Sequence, residues 1–170
     1  MIQEQEQMMK TVFTRNLPEK KVNVVREFAG SLPQVWKAWT DPELLDQWWA
    51  PEPWKAVTQT MDFKVGGHWL YYMLGPDGTK SYCRADFSAI QPQKSYKGID
   101  AFCDEKGVVN TEFPRMDWDV KFSESSLGTK VEVEITYASE EDLLKIAEMG
   151  FEEGFTAAHG NLDKLLAKQN

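Results

Sequence analysis

The chain has 170 residues, a length that predicts one domain. Apolar residues make up 42% and aromatics 12%, which is ample for a core and excludes wholesale disorder. Lys and Arg number 19 against 27 Asp and Glu, and the resulting net charge of −8 argues against a nucleic-acid backbone binder or a polybasic membrane-surface protein. The chain lacks the run of about 18 apolar residues that membrane insertion requires. The polar opening Met1–Lys10 does not read as a secretory signal. Cys83 and Cys103 are too few for a disulfide framework and lie outside a CxxC spacing, so reduced thiols and a cytoplasmic location are expected.

Residues 1–20 read as a leader rich in Gln, Glu and Lys, in which Thr11–Thr14 is able to add an edge strand. A single domain is expected over 21–168. It opens on a strand, where Val22, Val24, Arg26 and Phe28 alternate with Asn23, Val25 and Glu27. Two short helices follow. Ser31 caps one that carries Val35, Trp36 and Trp39 on its apolar side. Asp41 caps the next, with Pro42 at the first helical position and Leu44, Leu45, Trp48 and Trp49 on the apolar side.

Six strands are then expected over 54–63, 68–74, 82–90, 96–104, 116–122 and 130–137, separated by turn-forming residues such as Gly75-Pro76-Asp77-Gly78. Short turns between successive strands predict an antiparallel meander. Met116, Trp118, Val120 and Phe122 oppose Asp117, Asp119 and Lys121, so one face of the sheet is wet and the other covered. The cover is the terminal segment, in which Ser139 and Asp142 fit a capping box and no proline follows. As one helix it would run about 45 Å, long enough to cross the sheet.

Trp36-Lys37-Ala38-Trp39-Thr40-Asp41-Pro42-Glu43-Leu44, followed by Gln47-Trp48-Trp49, resembles the tryptophan-rich signature of activators of the heat-shock-protein-90 ATPase. Gly66-Gly67-His68-Trp69-Leu70-Tyr71-Tyr72-Met73 is similar to a strand of that family, and Pro76-Asp77-Gly78 to its following turn. Glu141-Asp142-Leu143, Glu148-Met149-Gly150 and Glu153-Gly154 resemble the start of its last helix. The resemblance covers about residues 21 to 168. It implies an α+β helix-grip fold, a curved antiparallel sheet wrapped around a long C-terminal helix. That fold is shared with the birch-pollen allergen, START domains and polyketide cyclases (the SRPBCC superfamily). It also implies a cavity between sheet and helix, but no single activity, because fold does not fix function.

The residues themselves suggest what lines such a cavity. Trp69, Tyr71 and Met73 share one strand face, as do Trp118, Val120 and Phe122. Tyr82, Phe87 and Phe102 are further candidates on strands whose two faces both carry apolar residues. On the terminal helix, Gly154 would leave space below a roof of Phe151, Phe155 and His159. The tryptophans at 36, 39, 48 and 49 read as packing for the small helices.

Catalytic signals are poor. His68 and His159 stand far apart, and no HExxH, GxSxG or phosphate loop is present. His68 is expected to face solvent, as are Asp117 and Asp119. Asp86 and Asp100 are both able to point inward, where burial would raise the pKa and make a general base. No metal and no cofactor is expected, and no catalytic residue is assigned. The leading function is binding of a small apolar or amphipathic molecule, lipid-like or aromatic, in the cavity. Two alternatives stay open: a protein-interaction module, such as a co-chaperone of the heat-shock-protein-90 ATPase, and a cyclase- or hydrolase-type enzyme. Residues 139–170 hold seven acids and three lysines, a net −4 that reads first as a solvated helix face and second as a docking surface for a chaperone or a second copy of the chain.

Overall fold

A computed structural model describes residues 10–169. β1 (Val12–Asn16) and β2 (Lys21–Phe28) form an antiparallel hairpin, so the short strand anticipated near Thr11 exists as an edge of the sheet. In β2 the period of two is realised. Val22, Val24, Arg26 and Phe28 are buried, and the residues between them are exposed or half-buried.

Two helices follow, each started by its own side chains. Ser31 caps α1 (Leu32–Thr40) through a complete capping box. Its hydroxyl accepts from the Gln34 N–H at 3.3 Å, and Gln34 Oε1 accepts from the Ser31 N–H at 3.0 Å. Asp41 caps α2 (Pro42–Trp48) by accepting from the Glu43 N–H at 3.0 Å. Trp48 Nε1 donates to the Ala38 carbonyl at 2.9 Å and ties the two helices together.

Six strands then run in succession: β3 (Lys55–Met61), β4 (His68–Leu74), β5 (Lys80–Gln91), β6 (Ser95–Phe102), β7 (Met116–Glu124) and β8 (Thr129–Thr136). Each pairs antiparallel with the next, and β8 pairs with β2. The result is one eight-stranded sheet in the order β1-β2-β8-β7-β6-β5-β4-β3. α1 and α2 therefore carry the chain from the β2 side of the sheet to its opposite edge. Register shifts at Thr58–Thr60 and Phe87–Ala89 add local bends.

The terminal segment is two helices rather than the expected one. Ser139 caps α3 (Glu140–Glu148), its hydroxyl accepting from the Asp142 N–H at 3.1 Å. Gly150 has φ of 89°, a left-handed conformation that ends α3 immediately before α4 (Phe151–Gln169). The lack of a proline does not make a helix continuous, because a glycine just past the last turn is itself a stop. α4 buries Phe155, Ala158, His159, Leu162, Leu165 and Leu166. Arg26 of β2 pairs with Asp163 and fixes α4 to the sheet, while Asn161 Nδ2 donates to the Ala50 carbonyl at 3.0 Å and fixes it to the end of α2. The architecture is the α+β helix grip that the resemblance implied. Among the described residues, no helix is long and apolar enough to cross a membrane.

Candidate functional site

Under α1 the covered face of the sheet is solidly packed. Trp36 meets Phe63, Tyr96 and Phe122 edge to face at 5.9, 6.1 and 5.0 Å between ring centroids. Phe87 joins this cluster through Phe63 at 4.8 Å. Toward the break between α3 and α4 the packing opens into a pocket of about 240 Å³. Its walls are Trp49, Tyr71, Phe102, Trp118, Phe151 and Phe155, with Met73, Met116 and Ile146 between them. Met149, half exposed, Pro51 and Gly150 complete the lining on the α3–α4 side.

Strand parity explains which side chains reach the pocket. Tyr71 faces Cys83 across the β4–β5 pair, and Met73 faces Ser81, so all four point to the covered side. Asp100 lies opposite Met116 across the β6–β7 pair. Its two carboxylate oxygens accept from the Met116 N–H at 3.0 Å and from Trp118 Nε1 at 2.8 Å. Asp100 is half-buried and lines the pocket. Burial pushes its pKa up to about 7, against the opposing pull of those two hydrogen bonds and of Arg115. Burial, reinforced by Asp100, pushes the Cys83 thiol up to about 12, which leaves it protonated and inert as a nucleophile at neutral pH. Burial likewise raises the Tyr71 phenol well above its ordinary value. Trp49 Nε1 donates to the Tyr71 hydroxyl at 3.0 Å.

Of the residues expected to line a cavity, Tyr71, Met73, Phe102, Trp118, Phe151, Gly154 and Phe155 are brought together around this pocket. Trp69 is not at its surface. It stacks behind Tyr71 at 3.9 Å and is itself held by Thr58, whose hydroxyl accepts from Trp69 Nε1 at 3.0 Å and donates to Asp46 at 2.6 Å. Val120 and Phe122 are buried in the packed half. Phe87 lies there too, for the reason given above. Tyr82 points to the other face of the sheet, where it meets Tyr72 at 5.3 Å.

His159 also lies outside the pocket. It is 1% exposed among Phe28, Trp39, Trp48 and Phe155, with Nδ1 at 2.8 Å from the Thr11 hydroxyl. Burial and the charge of Arg26 push its pKa down to about 3, so it is a neutral core residue. His68 is half-buried on the outer face, Asp117 is exposed, and Asp119 is half-buried and paired with Lys97 at 3.8 Å. Asp86, one of two aspartates considered able to turn inward, turns outward. Arg84 binds it through Nε at 3.0 Å and Nη2 at 2.6 Å, and Arg115 approaches at 3.5 Å.

Several pocket residues escaped the sequence reading. Trp49, expected only to pack the small helices, ends α2 and meets Trp48 edge to face at 5.2 Å while also entering the pocket wall. Met116 begins the same stripe as Trp118 and was there to be included. Cys83 and Ser81 follow from parity with Tyr71 and Met73 once the β4–β5 register is known. Among the described residues, no three His, Cys, Asp or Glu side chains converge as a metal-ligand set.

Comparison with known proteins settles the family. The model of the Activator of Hsp90 ATPase homolog 1-like proteins matches residues 30–167. The chain belongs to this family. Among solved structures, protein Ms6760 from Mycobacterium smegmatis is 31% identical, with a TM-score of 0.85 over 92% of this chain and 96% of that one. A protein from Arthrobacter aurescens, solved in solution, is 34% identical, with a TM-score of 0.86 over 92% and 91%. One from Nitrosomonas europaea is 25% identical, with a TM-score of 0.75 over 89% and 96%. A search of curated proteins finds no match. The pocket must therefore be read from its own side chains.

Proposed function

We propose that the chain binds a small apolar or amphipathic molecule in the pocket between the sheet and the α3–α4 break. The observation that carries this reading is a cavity of about 240 Å³ with six aromatic walls and a single carboxyl, Asp100, among its lining residues. Apolar walls with a few placed polar groups are the usual make-up of small-molecule sites, whose volumes commonly run from about 300 to 1,000 Å³. The ligand is accordingly small. Desolvation of its apolar part supplies most of the binding energy, at about 25 cal/mol per Å². Both cysteines are free, which supports a reducing, cytoplasmic setting for this activity.

Trp49 and Trp118 form part of the wall and report on its contents. Titration with 1-octanol is expected to change the tryptophan emission saturably. Gly154→Leu, which places a branched side chain where α4 borders the pocket beside Pro51, is expected to weaken that binding by about tenfold or more through lost volume. Unchanged octanol affinity in a folded Gly154→Leu protein would place the binding elsewhere.

A further inference from the structure

The lining of the pocket is asymmetric in charge. Its ionisable groups are Tyr71, Cys83 and Asp100, and no Lys, Arg or His side chain among the described residues lines it. The nearest cation is turned away: Arg115 donates through Nε to the Asp100 backbone carbonyl at 3.2 Å, while its guanidinium end reaches the outward-facing Asp86. Among the described residues, the Asp100 carboxylate thus has two hydrogen-bond donors but no ion-pair contact, Arg115 acting on it only at longer range.

We propose that the pocket selects small amphipathic amines, the ammonium seated against the Asp100 carboxylate and the apolar part enclosed by the aromatic walls. This proposal rests on the pocket being a ligand site, as argued above. Each Asp100 oxygen accepts one hydrogen bond from the protein, and a carboxylate offers about four acceptor directions, so acceptor capacity remains for a ligand N–H. Trp49, Tyr71 and Trp118 add to the wall aromatic rings of the kind whose negative quadrupole attracts an organic cation. A carboxylate ligand meets the reverse situation. Its charge would lie beside Asp100 in a poorly hydrated space whose lining holds no cation among the described residues.

The same site gives the selectivity a pH dependence. The titratable or charged groups facing Asp100 are Tyr71 from β4, Cys83 from β5, Arg115 before β7 and Tyr137 after β8. The helical side of the pocket contributes Ile146, Met149, Phe151 and Phe155, none of which titrates. Burial raises the proton affinities of Tyr71, Cys83 and Tyr137, so all three groups hold their protons above neutrality. Ionisation of Asp100 is then the event that matters between pH about 6 and 8. An alkylamine remains protonated throughout that range. Its affinity rises with pH as the carboxyl loses its proton, while that of an alcohol stays level.

The test is calorimetric titration of the full chain with octylamine, 1-octanol and octanoate at pH about 8, and with the first two again at pH about 6. Octylamine is expected to bind about tenfold more tightly than octanol at the higher pH, with octanoate weakest, and to lose most of that advantage at the lower pH. Asp100→Asn is expected to bring the ratio of octylamine to octanol affinity close to about one. The comparison across pH on the unaltered protein stands if that variant misfolds. Octanol binding with no octylamine preference would overturn the amine proposal and leave the pocket reading intact. A preference that survives Asp100→Asn would overturn it too, assigning the attraction to the acidic surface. Failure of all three compounds to bind would remove both.

Discussion

Replacing Trp39 with alanine is expected to cost the fold about 3–5 kcal/mol, measured as a fall in the urea midpoint at unchanged slope. Trp39 is 2% exposed and joins elements from across the molecule. Its ring meets Phe28 of β2 at 6.4 Å, Trp48 of α2 at 4.9 Å, Phe122 of β7 at 5.9 Å and Phe155 of α4 at 6.2 Å. Removing it leaves a cavity that four separate elements would have to collapse to fill, and collapse is limited in a close-packed interior. Trp39→Phe is expected to cost much less. The indole Nε1 is buried and finds no hydrogen-bond partner among the described residues, so losing the N–H offsets part of the lost volume. Equal losses for the two variants would show that the ring does not bridge these elements as described.

The second large effect is a pair of opposed pH dependences. His159 takes up a proton near pH 6.5 in the unfolded chain but only near about 3 in the folded one, because burial and Arg26 disfavour its charge. The unfolded state therefore binds more protons in that window, and His159 withdraws stability as pH falls from 6.5 toward about 3. Asp100 acts with the other sign. Its folded pKa of about 7 lies above the ordinary 3.8, so the folded state holds the extra proton and stability is lost as pH rises through that window.

Each effect is worth about 3 kcal/mol between pH about 4 and neutrality, and in the native protein they largely cancel. Single substitutions expose them. Relative to the native chain, His159→Phe is expected to become progressively more stable as pH falls from about 6.5 to 4, and Asp100→Asn as pH rises from about 4 to 7. Urea titrations at several pH values check both. Differences that do not vary with pH would mean that neither group changes its proton affinity on folding.

Much of this architecture is legible in the residues because local signals and burial agree. Ser31, Asp41 and Ser139 each start a helix where capping chemistry places it. The alternation in β2 and β7 marks the covered face correctly. What escaped depends on register and on backbone conformation. Asp86 and Asp100 looked equivalent in sequence. Asp86 instead shares the outer face of β5 with Arg84, while Asp100 falls opposite Met116 on the covered face. That choice is made by how the strands pair, a long-range property. His159 lies one helical turn after Phe155, which lines the pocket, yet its ring enters the core beside Phe28 because α4 is anchored there by the Arg26–Asp163 pair. Gly150 falls within the single helix expected of the terminal segment; its positive φ separates α3 from α4, and the pocket lies beside that break, next to half-exposed Met149.

The central claim is that this pocket holds a small apolar or amphipathic molecule, and calorimetric titration of the full chain with straight-chain alcohols from butanol to decanol tests it most directly. Affinity is predicted to rise by up to about 0.8 kcal/mol per added methylene and to level off once the space is filled. With a volume of about 240 Å³, that plateau should fall within the series. Salt should change these affinities little, because the alcohols carry no charge to screen. Affinity that does not depend on chain length, or no saturable binding at any length, would contradict the account.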